Sequence, residues 1–472
     1  MGTLRVTNIE AKSDSSSPSV DEKVSIRNSN EQVIFEVDGK NSPGVGTVFV
    51  GSGIITATTF TGNVTGNVTG NVTGNATGLS GTPDVVVGIV TATEIAGVST
   101  IGVTTVTATT LTVNGNNYPT AGPLSNRNLV INGAMQVAQR GTSETSIVPG
   151  TSTQYNTCDR LSIFGIGTNN AQWTNSQSTD APDGFRYSWK WDCTTADASP
   201  DSTARQQIAQ IIEGNNCTSL NYGGTDPKSV TLTFWVKATK TGKNYVFIYH
   251  HAAEFITIDY NIDVADTWEK KTLTFTGANA SAITNTNGAG IYVQWLLYVG
   301  SDYSDGTYQE NTWNDWVASN WNMFEGQTNN ADSTDNNFYL TGVQLEVGDT
   351  ATPFEHRSYG DELDRCQRYY QRISGTVGTV IFCNMSAWSS SSMYGCMHYQ
   401  KTMRAAPTIT DSGNFEVYSG GASPSASSLS FERINVASCR VYAATSGMTT
   451  GRGGWLEALD SSGATIEFSA EL

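Results

Sequence analysis

From Thr61 to Gly78 the chain reads TGNV TGNV TGNV TGNA TG, a period of four that ordinary globular cores do not use. In an extended strand side chains alternate between faces. The even positions from Gly62 to Ala76 therefore present only Gly and Val or Ala, and the odd positions only Thr and Asn. Such a strand has one narrow apolar face and cannot bury it within itself. Three identical strands around an axis would cover Val64, Val68 and Val72, with Gly allowing close approach, so the repeat predicts an extended fibrous β stem and a homotrimer. Collagen is excluded, because Gly recurs every fourth residue and not every third. Two readings compete. A flexible Gly/Thr/Asn linker gives no reason for Val to keep register. The sequons at Asn63, Asn67, Asn71 and Asn75 are formal glycosylation acceptors, but the opening Met1-Gly2-Thr3-Leu4-Arg5-Val6 shows no apolar secretory stretch.

At 472 residues the chain has room for two or three domains. With 47 Gly and only 15% charged residues it reads as all-β and turn-rich. A net charge of -17 excludes a basic stripe for nucleic acid, and no apolar run approaches the ~20 residues of a membrane-spanning helix. Seven cysteines stand at long, irregular spacings without a CxxC pair, the pattern of reduced thiols. The four histidines are not at ligand spacing from a cysteine pair, so no zinc site is predicted.

Composition shifts divide the chain into segments 1–52, 53–126, 127–357, 358–374 and 375–472. The second contains the repeat and short units of the form Ile55-Thr-Ala-Thr-Thr-Phe60. Glu31 to Val37 before Asp38-Gly39 reads as a strand and tight turn. The third carries strand patterns at 161–164, 230–236, 245–249, 255–260, 271–275, 291–298, 338–340 and 343–347, which predict a jelly-roll or two-sheet β-sandwich. Ser202 to Ile212 fits a helix or a strand equally. Asp361 to Ile373 is the best helix, with Leu363, Cys366, Tyr370 and Ile373 on one seam and Asp361–Arg365 and Asp364–Arg368 at i,i+4. Strand patterns at 377–382, 415–418, 439–442 and 465–468 then suggest a smaller C-terminal β-sandwich.

The opening Leu4-Arg-Val-Thr-Asn-Ile-Glu10, the run from Gly53 and the TGNV repeats resemble tail-fibre and virion structural proteins of phages that infect cyanobacteria. Asn128 to Gly141, Cys158-Asp-Arg-Leu161, Phe234 to Ala238, Gly342 to Gly348, Pro353-Phe-Glu355 and Arg365 to Tyr370 are similar to a module of phage fibres, whose phrase usually has Trp where this chain has Leu161. The resemblance implies a trimeric virion fibre. Residues 1–52 would attach to other virion proteins, and a carbohydrate-binding-like jelly roll would act in host attachment through a surface glycan or receptor. Two rival roles are a virion component that binds only protein, such as a capsid-decorating fibre or baseplate connector, and a polysaccharide depolymerase.

Neither Gly-x-Ser-x-Gly nor HExxH occurs, and His250-His251 at a strand end reads as an edge or turn, so no catalytic residues are predicted. The candidate ligand site is the segment Asn311 to Phe324. There Trp313, Asp315, Trp316, Asn320 and Trp321 combine aromatic faces for the C–H surface of a sugar with amides and a carboxylate for its hydroxyls. The competing reading puts these Trp residues in the core or a trimer interface. A structural calcium in the loops of Asp302 and Asp305 or of Asp332 and Asp335 competes with ordinary Asx turns.

Overall fold

A computed structural model describes residues 23–38, 47–49, 112–113, 116–117, 125–250, 254–278, 281–317 and 323–472. Val64, Val68 and Val72 of the repeat, Asn320 and Trp321 of the tryptophan segment, and His251 lie outside the described residues. The chain divides into two units, Met1–Ile101 and Gly102–Leu472.

In the first unit Lys23–Arg27, Val33–Asp38 and Thr47–Phe49 form an antiparallel sheet in that order. The turn after Arg27 is built by Asn28, whose Oδ1 accepts from the N–H groups of Asn30 and Gln32, each at 3.0 Å.

In the second unit Thr112–Val113 pairs with Asn116–Asn117, and a two-sheet antiparallel sandwich follows. One sheet runs Glu269–Phe275, Val230–Ala238, Asn337–Val347, Ser188–Thr195, Gln172–Ser178, Ser143–Ile147. The other runs Asn314–Asp315, Glu254–Ile262, Gly242–His250, Ala289–Val299, Arg205–Glu213, Ser162–Ile166, Gln154–Tyr155. The period of two directs Leu232, Phe234 and Val236 of one sheet and Val246, Ile248, Val293 and Trp295 of the other into a common core. Phe234 meets Trp295 edge to face at 5.6 Å, and Trp173, Trp189 and Trp191 fill the far end. The ambiguous segment 202–212 is a strand, Arg205–Glu213, paired along its length with Ala289–Val299 and over Arg205 to Ala209 with Ser162–Ile166. That pairing satisfies its backbone without a helix, and its β-branched residues pack well there.

Phe338 to Val347 is one strand and not two. Gly342, at φ +60, absorbs the register shift opposite Thr233 and Trp235, and a Cβ there would lie 2.7 Å from the Phe185 ring and 2.8 Å from Trp235. Gly342→Ala is expected to destabilise the unit by about 2 kcal/mol, read as a lower urea midpoint at unchanged m-value.

A helix, Tyr359–Gln367, leads into the C-terminal sandwich. Ser358 caps it, its Oγ accepting from the Asp361 N–H at 3.2 Å. The helix is shorter than the 361–373 pattern predicted. Gln371 Nε2 donates to the Gln367 carbonyl at 2.9 Å, and Tyr370–Gly375 pairs with Ala464–Ser469, so residues after Gln367 gain a sheet ladder that the helix could not offer. The terminal sandwich sets the sheet Tyr370–Gly375, Ala464–Ser469, Thr408–Asp411 against Phe415–Tyr418, Gly453–Ala458, Ile381–Ser389, Ser392–His398, Ser438–Ala444, Ser428–Glu432. Met385, Met393, Val441, Leu456, Ile466 and Phe468 make its core. The strand expected from 377 starts only at Ile381, after a turn.

Three of the six module phrases, 128–141, 158–161 and 365–370, lie where the two sandwiches meet. Asn132 folds the 128–141 segment by donating to the carbonyls of Val137 (2.8 Å) and Asp159 (3.0 Å), and its N–H donates to Glu362 at 2.6 Å. Arg160 is 1% exposed. It pairs with Glu471, donates to the Ile211 carbonyl at 2.6 Å and lies 3.6 Å from the Tyr369 ring centroid. Glu213 of the first sandwich accepts from Arg368 (2.7 and 3.1 Å) and from the Tyr369 hydroxyl (2.8 Å). These residues join the sandwiches.

Burial alone would raise the Glu213 pKa, but the hydrogen bonds from Arg368 and Tyr369 outweigh it and hold the carboxyl below its ordinary 4.5. A depressed carboxylate contributes stability that is present above its unfolded value and lost as pH falls through the folded one. The urea midpoint is therefore expected to drop between pH 5 and 3, and Glu213→Gln to lower it at pH 7 and flatten that drop.

Candidate functional site

The outer face of the seven-stranded sheet carries side chains that a solvent-facing sheet surface would not need. Pairing sets Phe255, Tyr249, Tyr292 and Ile211 in one row across four strands. The next row is Thr257, Phe247, Gln294, Ala209 and Ser162. A third is Asp259, Tyr245 on the neighbouring strand, and farther along Leu296, Gln207 and Phe164. This double-sided apolar pattern, visible in Tyr245-Val-Phe-Ile-Tyr249 and Ile291-Tyr-Val-Gln-Trp-Leu-Leu-Tyr298, is the signal in the sequence for a covered or ligand-bearing second face.

Part of that face is open as a cavity of ≈ 280 Å³. Its floor holds Gln207 and Gln294, with Gln207 Nε2 donating to Gln294 Oε1 at 2.7 Å. Tyr249 and Tyr292, 5.3 Å apart and inclined at 65°, line it together with Phe164, Ile166 and Trp316. Both tyrosines are half-buried, and that burial raises their pKa values. They therefore present neutral phenols at physiological pH. Arg205 also lines the cavity, with the rings of Tyr303, Trp316 and Phe247 at 4.9, 5.0 and 5.8 Å from its guanidinium carbon. Burial lowers its pKa to about 10, so it stays protonated at neutral pH.

The tryptophan segment splits between two places. Trp316 lies over the outer face, stacked on Phe247 at 6.1 Å and 11° and set edge-on to Phe255 at 5.0 Å, and it lines the cavity. Trp313 instead packs against the sandwich core. It donates to the Thr276 carbonyl at 2.9 Å and meets Tyr222 at 5.7 Å and His250 at 6.4 Å. Asp315 is exposed, in the short edge strand beside Glu254. His250 is buried at that same end of the sandwich, 3.9 Å from Glu254. The residues that the sequence reading did not select are Tyr249, Tyr292, Gln207, Gln294, Phe164 and Arg205.

Asp332 pairs with Lys240 and accepts from Asn336 Nδ2 at 2.7 Å. Among the described residues no group of three or more His, Cys, Asp or Glu side chains is placed to hold a metal ion. All seven cysteines are free, six of them buried.

No protein-family model matches this chain, and no curated protein matches it. Solved structures similar to part of it include the enzymatically active domain of bacteriophage CBA120 tailspike protein 4. That likeness has 14% identity and a TM-score of 0.25, and covers 47% of this chain and 21% of the tailspike. The N-terminal cellulose-binding domain of Cellulomonas fimi β-1,4-glucanase C is similar at 12% identity and a TM-score of 0.23, over 46% of this chain and all of that domain. The CBM22-1 and GH10 modules of a Clostridium thermocellum xylanase complexed with xylohexaose are similar at 10% identity and a TM-score of 0.22, covering 41% of this chain and 27% of theirs.

Proposed function

We propose that this chain is a glycan-binding fibre protein of a phage particle, a tail fibre that attaches the virion to a host-cell surface, and that the glycan sits in the cleft on the outer face of the seven-stranded sheet. The observation that carries the binding site is the set of rings at Tyr249, Tyr292 and Trp316 above the Gln207–Gln294 pair. Ring faces take the apolar C–H surface of a sugar, and the amides take its hydroxyls. The described residues that line the cleft include no carboxylate, whereas glycoside hydrolysis commonly uses two, and this favours binding over cleavage. The fibre role is supported by the TGNV repeat, whose Val stripe needs identical partners. Three linked copies would turn weak single sites into firm attachment through effective concentration.

The test uses the full-length protein. Affinity electrophoresis in gels containing bacterial surface polysaccharides or plant and algal glycans should show retardation that Tyr292→Ala relieves. Migration unaffected by every polysaccharide would sink the binding reading. Light scattering should give a mass about three times the 50.5 kDa chain; a monomer would count against the trimeric fibre.

A further inference from the structure

Among the described residues that line the cleft, Arg205 is the only charged one. It is 1% exposed, and its Nε and Nη1 atoms have no hydrogen-bond acceptor among the described residues. The three rings around it stabilise the cation but supply no acceptor for its N–H groups. A buried guanidinium is costly unless an acceptor or a counter-charge replaces its lost solvation. Beside it Gln207 Oε1, also buried, lacks a donor among the described residues. The site thus lacks one anionic acceptor and one hydroxyl donor, side by side, and an acidic sugar offers both.

We infer that the glycan bound in this cleft carries an anionic substituent, the carboxylate of a uronic acid or a sulfate ester, which pairs with Arg205 while a neighbouring hydroxyl donates to Gln207. This rests on the glycan-binding reading of the same cleft and names its ligand class. A charge-assisted hydrogen bond in a dry site is stronger than one to a neutral hydroxyl, so the anion sets specificity while the rings supply general affinity. With a net charge of -17 the chain as a whole repels such a polymer, so its attraction must be local to a cationic group such as Arg205.

The experiment is calorimetry on the full-length protein with oligosaccharides of equal length: oligogalacturonate, a sulfated galactan oligomer, and unsubstituted xylo- and cello-oligosaccharides. At low salt at least one acidic probe should bind about tenfold more tightly than the neutral ones, and which acidic probe wins distinguishes carboxylate from sulfate. Arg205→Gln should bring acidic affinity down to that of the neutral probes measured on the same variant, and Arg205→Lys should retain part of the preference. Near-ultraviolet circular dichroism checks that the variants fold. Should Arg205→Gln not fold, the wild-type preference decides. Equal affinity for acidic and neutral probes, or an unchanged preference in folded Arg205→Gln, would overturn the inference. Tight binding of neutral probes alone overturns it and leaves the glycan-binding reading standing. Absence of binding to all four probes, together with unaltered migration in every polysaccharide gel, removes both.

Discussion

Tyr249→Ala combined with Trp316→Ala should reduce glycan affinity by at least about 100-fold while leaving the fold intact. Each ring offers a sugar a broad apolar face, and removing a central aromatic anchor typically costs about 2 kcal/mol or more. Two such losses give a factor of several hundred if they add. The rings touch each other at 5.1 Å, so the pair should be less than additive. Both side chains lie on the outer face of the seven-stranded sheet and outside the sandwich core, so thermal unfolding should shift much less than binding does. Titration calorimetry on the single and double variants reads the binding loss, and circular dichroism melts read the fold. Unchanged affinity in the double variant would remove the cleft from consideration as the glycan site.

Arg160→Met should destabilise the second unit by about 3 kcal/mol, a loss typical of breaking a buried ion pair by removing one partner. The change leaves the Glu471 carboxylate with Arg140 as its remaining partner, at 3.1 Å, and leaves the Ile211 carbonyl without that donor. The pairing between the sandwiches weakens at the same time, because Arg160 also stacks on Tyr369, whose hydroxyl donates to Glu213. The signature is specific. Denaturation should lose cooperativity, with the 370–472 sandwich and the 143–347 sandwich unfolding at separate midpoints, detected by hydrogen exchange resolved along the chain. A single transition at an unchanged midpoint would show that the junction contributes little.

The two predictions probe parts of the chain that were unequally legible in the sequence. The strands were readable because alternation of apolar and polar residues is a local pattern: Val230–Ala238, Ala289–Val299 and Ala464–Ser469 all appear near their expected places. Ser188–Thr195 and Gln172–Ser178 were not expected, since Trp173, Trp189 and Trp191 stand among polar residues whose outward direction is known only once the strands are paired. The helix after Tyr359 was overextended for a related reason. Tyr369 to Ile373 continues a helical seam, but the strand Ala464–Ser469, nearly a hundred residues away, captures those residues as a sheet partner. Local propensity lost to a non-local ladder.

The tryptophan segment shows the same limit for the site. Trp313, Trp316 and Trp321 are chemically equivalent in sequence, and Trp321 lies outside the described residues. Trp313 and Trp316 are three residues apart, yet one seals the core beside Tyr222 and the other lies over the outer sheet face. Periodicity and composition were enough to specify an all-β chain with a repeat that cannot bury its own apolar stripe, because those properties depend on neighbours within a few residues. The cleft needed the tertiary fold. Arg205, Tyr249, Tyr292 and Trp316 come from separate parts of the chain and acquire a common surface only when strand register sets which face each side chain occupies.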